Sequence, residues 1–257
     1  MAIDMAFHRT FVLLALLLAA CSSRGLDVVI PDPDSLKHDM VAYWPCDEAS
    51  GGMLRDHSGF NYNGSIIGAT WLPDSGHAGF GGALHFDSGN SVIVGSFPDA
   101  KDSWSVSLWV RPYSSNSGDW ATLISTEIAF VGGWEMNLHL PTDYTPLQYH
   151  FAYPRESDAG PYEYYSCPCV DVDQWTHLVA VVDGGANRLS FYKNKVLQNE
   201  SPITHLILPG SNALYLGTWS DGGRYFVGDL DDIVIYGRAL TQSEVDRLYK
   251  QPAPNPR

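Results

Sequence analysis

An all-β domain, built as two antiparallel sheets packed face to face and finished by one short helix, is the fold class this sequence predicts. Three observations carry that expectation. Period-two alternation of apolar and polar residues recurs along the chain, with Gly, Pro, Ser and Asp between the runs. A helical pattern comes late: after the strand-like Leu230 and Ile233 to Tyr236, Thr241 with Glu244 makes a capping box, and Val245, Leu248 and Tyr249 share one apolar stripe. From Met40 onward no second linker, internal repeat or low-complexity tract interrupts the pattern. The 257 residues would allow two domains, but sandwiches often run this long as one.

In chain order, Thr10 to Ala20 is an apolar run of signal-peptide length, too short to span a bilayer, and it ends in Leu18-Ala-Ala-Cys21. Residues 1–20 are expected to be an export signal. Residues 21–39, with two prolines and no sustained period, are expected to be a tether. The domain is expected over 40–250 and a tail over 251–257. Val41 to Trp44 opens the domain. In Trp104 to Pro112, Val106, Leu108 and Val110 oppose Trp109 and Arg111. In Trp134 to Leu140, Trp134, Met136, Leu138 and Leu140 oppose Glu135, Asn137 and His139. In Leu147 to Tyr153, Leu147, Tyr149, Phe151 and Tyr153 oppose Gln148 and His150. Gln174 to Asp183 is nearly all apolar after Trp175, as befits a central strand.

Two resemblances add to this reading. Val41-Ala-Tyr-Trp-Pro-Cys-Asp-Glu-Ala-Ser-Gly51, the loop Asp56 to Gly64, Gly82-Ala-Leu-His-Phe-Asp87, Trp104 to Pro112, Gln174 to Gly184, Leu189 to Asn194 and Phe226 to Tyr249 occur in one order. Together they resemble bacterial laminin G-like, concanavalin A-type jelly-roll domains. That resemblance implies a binding module, for carbohydrate first and for a protein partner as the alternative, with a glycoside hydrolase a distant third. Separately, Leu18-Ala-Ala-Cys21 resembles the bacterial lipoprotein signal, which implies that Cys21 is lipidated and the chain anchored to a membrane in the bacterial cell envelope. Ser22 and Ser23 follow, with no Asp at the position linked to inner-membrane retention, so the outer membrane is expected. Asp4 offsets Arg9 and weakens the usual basic start; translation from Met5 would restore it. An ordinary secretory signal with a chance Cys is the other reading.

The chain carries 29 Asp and Glu against 15 Lys and Arg, a formal net charge of −14. That argues against nucleic acid, whose affinity comes largely from basic contacts to phosphate. It argues equally against an anionic polymer as the main ligand. With Cys21 lipidated, Cys46, Cys167 and Cys169 remain, an odd number that cannot all pair internally. Cys46 is expected to be a buried free thiol. Cys167-Pro-Cys169 lacks a second Cys or His pair at zinc-ribbon spacing, and a loop disulfide fits it better than zinc.

If the apolar faces meet inside, the polar face left over carries Trp109, Arg111, Glu135, Asn137, His139, Gln148 and His150. Planar hydrogen-bonding groups beside aromatic rings suit a sugar. The candidate ligand-binding residues are Trp120, Glu135, Asn137, His139, Gln148, His150 and Trp219, with Tyr162, Tyr164, Tyr165 and Asp221 on nearby loops. Calcium wants six to eight oxygens from carboxylates, amides and turns. In the domains this chain resembles, such an ion sits near the opening strand and an Asp of the last strand. Carried over, that implies a structural calcium held by Glu48, Asp56, Asn61 and Asp231, with Asp232 competing for the last role and turn capping the alternative for Asp56 and Asp231. Catalysis is not expected. The spacing Glu-x-Asp-x-x-Glu is missing, Gly-x-Ser-x-Gly does not occur, and Glu127, Glu135, Glu156 and Glu163 stand apart in the sequence. His177, inside an apolar strand, reads as a core histidine.

Overall fold

The computed structural model describes residues 35–253 apart from 80, 115, 117–119, 129–130, 140–146, 155–161, 169 and 206, and all described residues lie in one unit, Asp32–Arg257. The export signal, Cys21, most of the tether, Leu140, Glu156 and Cys169 fall outside the described residues. The alternating runs resolve into strands. The first are β1 (Met40–Trp44), β2 (Met53–Leu54), β3 (Gly64–Ile67), β4 (Thr70–Leu72), β5 (Ala83–Phe86) and β6 (Ser91–Gly95). The middle of the chain supplies β7 (Ser103–Pro112), β8 (Ala121–Ser125), β9 (Glu135–His139), β10 (Gln148–Tyr153) and β11 (Glu163–Pro168). The last are β12 (Thr176–Asp183), β13 (Arg188–Lys193), β14 (Val196–Pro202), β15 (Ala213–Leu216) and β16 (Gly228–Tyr236), before helix α1 (Gln242–Lys250).

These strands pair antiparallel in two sheets. One runs β14-β13-β12-β7-β16-β5-β4, with β1 also on β16; the other runs β11-β10-β9-β8-β15-β6-β3-β2. The sandwich and its single C-terminal helix are as expected. Trp44, Phe86, Leu108 and Phe191 from the first sheet meet Leu123, Met136, Tyr149 and Phe151 from the second in one buried core.

A second apolar layer explains why β12 is apolar on both faces. Val179 and Val181 point away from the sandwich core and pack with Tyr192 and Val234 against Val245 and Leu248 of α1. The predicted capping box is present: Thr241 accepts from the Glu244 amide while Glu244 accepts from the Thr241 amide. Arg238 then grips the same Glu244 carboxylate through both terminal nitrogens, at 2.9 and 2.7 Å. Leu36 and Ala253, outside the expected 40–250 span, belong to this layer. The folded unit therefore reaches beyond the alternating pattern at both ends, because single apolar residues there dock on an existing surface.

At Asp231 and Asp232 strand β16 bulges. Before the bulge β16 pairs with β5; after it, with β1; β7 follows it throughout. Asp232 has a left-handed backbone, φ 46°. The bulge turns both carboxyls to other segments: Asp231 accepts from the amide and ring of His77, both at 2.8 Å, and Asp232 from the Ala253 amide at 3.1 Å. Burial comes first in pushing both carboxyls up, that of Asp232 to about 7.

Two side chains expected on the ligand face sit elsewhere. Trp109 and Arg111 belong to the first sheet. Trp109 is buried between the rings of His77, His177 and Tyr249 of α1, with centroids 4.2, 5.0 and 5.5 Å away. Alternation distinguishes inward from outward, but not which of two sheets a strand joins. His177 is buried as expected, its ring nitrogen 2.7 Å from the Ser107 hydroxyl. Cys46 is a free, buried thiol, and burial raises its pKa well above the ordinary thiol range.

Candidate functional site

The outward face of β8, β9, β10 and β11 gathers the polar and aromatic side chains. In the strand register Asn137 lies opposite both His150 and Thr122, His139 opposite Gln148, and Tyr164 opposite Ala152. Strand alternation thus brings five predicted residues, Glu135, Asn137, His139, Gln148 and His150, onto one surface. Trp120 enters from the start of β8 and covers two of them, His139 and His150. Its ring stacks on His139 at 3.9 Å and on Tyr164 at 5.2 Å, and meets His150 edge-on at 5.4 Å.

Trp219, expected among the ligand-binding residues, does not present an open ring. It is 7 % exposed, and the Arg224 guanidinium lies over its ring at 3.9 Å. Its link to the face runs through that cation, because Arg224 also reaches Glu135 at 3.3 Å. The exposed aromatic ring at the site is Tyr164, on β11 and 38 % exposed. Neighbouring Tyr165, one residue out of phase, turns into the core.

Beneath the rings lies a carboxyl pair that sequence spacing did not reveal. Glu127 and Glu135 stand eight positions apart but flank a tight hairpin in which the Thr126 amide bonds the Trp134 carbonyl at 2.9 Å and Ile128 bridges Gly132. Gly133 makes this return possible. Its φ is +85°, and a Cβ there would lie 2.5 Å from the Thr126 carbonyl oxygen. Glu127 accepts from the Tyr162 hydroxyl. Glu135 is 1 % exposed and accepts from Thr122 at 3.4 Å. Burial first, and the Glu127 charge second, push the Glu135 carboxyl up to about 8 against the pull of Arg224. Glu127, Thr122 and Arg224 were missed. The Glu-x-x-x-x-Gly-Gly-x-Glu pattern around the hairpin was the one available signal for Glu127; nothing local marks Arg224.

At neutral pH the Glu135 carboxyl and the His150 ring are therefore both uncharged. Burial, then the neighbouring His139, pushes the His150 imidazole down to about 4. The carboxyl pair is sunk below the surface and engaged by Arg224, Thr122 and Tyr162. Chemically the face offers hydrogen-bonding groups and ring surfaces, not a pair of accessible carboxylates.

The predicted calcium residues do not form one donor set. Among the described residues no group of three or more His, Cys, Asp or Glu side chains is arranged to hold a metal ion. Asp56 directs its carboxylate at four donors: the amides of Tyr43, Ser58 and Tyr62 and the Ser58 hydroxyl, at 3.0, 2.8, 2.9 and 2.7 Å. Asp231 is bound to His77, and one Glu48 oxygen accepts from the Arg55 amide at 2.6 Å. Asn61 is exposed at a left-handed turn position, and it is the Asn63 side-chain oxygen that accepts from the Asp56 backbone amide, at 2.8 Å. These carboxylates organise turns, and the set does not fit calcium.

With fold and face in place, relatives can be compared. The family model of the concanavalin A-like lectin/glucanases superfamily matches residues 86–246, more than half of the chain, and the chain belongs to that family. No curated protein matches the sequence. Among solved structures, the fold is similar to domain 4 of AbnA, a GH43 extracellular arabinanase from Geobacillus stearothermophilus, in complex with arabinotriose. The TM-score is 0.60 at 22 % identity, over 82 % of this chain and 98 % of that one. It is also similar to the botulinum neurotoxin serotype D binding domain, with TM-score 0.63 at 14 % identity over 83 % of this chain and 52 % of that one. The binding domain of botulinum neurotoxin DC in complex with rat synaptotagmin II gives TM-score 0.62 at 15 % identity, over 84 % and 52 %. The chain spans about half the length of the toxin binding domains it matches.

Proposed function

We propose that this protein is a non-catalytic binding module that holds a carbohydrate on the β8–β11 face and is carried on the bacterial outer membrane by a lipid at Cys21. One observation supports the carbohydrate reading above others. Hydrogen-bonding side chains and aromatic rings converge on one outward sheet surface, with Tyr164 exposed beside His150 and Asn137 opposite His150 in register. Sugars present hydroxyls at their edges and C–H groups on their faces, and such a surface answers both. The arabinotriose complex of a similarly folded domain is consistent with this reading. The engagement of Glu127 by Tyr162 and of Glu135 by Thr122 and Arg224 supports a reading without hydrolysis, because a general acid must be free to donate to the glycosidic oxygen.

A second reading, a protein-interaction module, draws on Ile128 and Val131, apolar side chains 40 % and 61 % exposed at the hairpin that carries Glu127. A glycan array probed with the purified protein separates the two. A ring contact and a few net hydrogen bonds at about 1 kcal/mol each give a Kd in the micromolar to millimolar range, on the order of one weak module. Tyr164→Ala should remove that binding and leave the melting temperature unchanged. An array with no binder would sink the carbohydrate reading and leave the protein one.

A further inference from the structure

We propose that a neutral sugar inserts two adjacent hydroxyls beneath Trp120, against Asn137 and His150, and that this pocket rejects acidic sugars. The inference rests on the carbohydrate face above and deepens it by naming ligand class and pocket. Asn137 is fully buried, yet no protein group meets its Oδ1 or Nδ2 within hydrogen-bonding distance. Its amide lies near enough to Glu135 to favour the charged form of that carboxyl, but no hydrogen bond of normal length joins them. The Nδ1 atoms of His139 and His150 are likewise buried without a protein partner. A buried polar group is costly until something pairs with it, and natural proteins leave few. Four such atoms on one face, with Asn137 and His150 directly opposite in register, mark a place built for a polar ligand.

Trp120 closes this place. Its φ is 64°, in the left-handed region that large aromatic residues seldom occupy. Backbone strain of this kind clusters at ligand clamps. The stacked indole covers His139 and meets His150 edge-on, and His150 lies opposite Asn137 in register, so a ligand seated against that pair meets the ring.

The donor and acceptor pattern selects the ligand. Asn137 offers one acceptor and one donor group. His150 Nε2 lies 3.1 Å from Gln148 Oε1, an acceptor, so the proton of the neutral ring sits on Nε2 and Nδ1 is left to accept. Two acceptors and one donor suit a pair of hydroxyls, each of which donates and accepts. A carboxylate or sulfate only accepts, and would face Asn137 Oδ1 and His150 Nδ1 with Arg224 already engaged by Glu135 and Trp219.

Nuclear magnetic resonance of the isotopically labelled protein tests this. The probes are arabinotriose, glucose, galactose and xylose, with glucuronate and galacturonate as acidic counterparts. At least one neutral sugar should shift the Asn137 side-chain amide and the Trp120 indole signals, and the acidic sugars should shift neither. Asn137→Leu should weaken the neutral sugar at least tenfold while melting no lower than wild type, because it breaks no protein hydrogen bond. Loss of stability in that variant would instead assign Asn137 a structural role and overturn the proposal. If no neutral sugar moves the Asn137 signal, or if the acidic sugars move it equally, the pocket is refuted. Binding that persists in Asn137→Leu and vanishes in Tyr164→Ala would overturn the pocket alone and keep the carbohydrate face.

Discussion

Glu135 alternates outward on β9 and yet is buried, because Thr122 and the Arg224–Trp219 pair close over that part of the sheet. Its raised pKa has a consequence for stability. The folded carboxyl titrates near 8, whereas an unfolded Glu titrates near ~4.3. Between those values the folded state keeps the proton and the unfolded state does not. The contribution of this group is therefore fully present below ~4.3 and is lost as pH rises through about 8. Glu135→Gln stays neutral throughout and lacks this dependence. Melting temperatures of both proteins from pH 5 to pH 9 should show wild type falling relative to the variant as pH rises; parallel curves would mean that Glu135 is already ionised in the fold. Asp56 is buried among different partners. Its partners are amides of its own turn and of β1, so no cation is needed to hold it.

At the scale of elements, α1 and β12 make one device. The helix is nine residues long, too short to be stable alone in water. Its apolar stripe rests on Val179 and Val181, and its first turn is closed by Thr241, Glu244 and Arg238. Thr241→Ala removes one cap and should cost about 1 kcal/mol. Val179→Asp places an unpaired charge in the layer between sheet and helix and should abolish folding altogether. Urea unfolding of the two variants checks the contrast, and equal midpoints would show that α1 is peripheral. This arrangement was legible in part. The 3.6-residue period and the capping box lie within a few residues of one another, so they can be read directly. That the second face of β12 meets the helix could be read only from its unbroken run of apolar residues. The role of Leu36 could not, since one apolar residue after a proline-containing stretch has no period.

Across the whole molecule, the proposed lipid at Cys21 makes a prediction of its own. Two or more acyl chains anchor stably where one does so marginally. Cys21→Ser should move the protein from the membrane to the soluble envelope fraction, and identical fractionation of both forms would refute the anchor. Sequence alone determined the sandwich class, the late helix, the in-or-out phase of Glu135, Asn137, His139, Gln148 and His150, and the core place of His177. Each is a local matter: side-chain direction in a strand follows from parity, and a helix start from residues three apart. Only the tertiary structure decided which sheet each strand joins, and with it the burial of Trp109 under α1 and the separate hydrogen-bond partners of Glu48, Asp56 and Asp231. It alone joined Glu127 to Glu135 across a hairpin, brought Arg224 onto Trp219, and laid Trp120 over His139. Those contacts depend on strand order and on loops arriving from distant parts of the chain, and parity along a strand carries no information about what will cover it.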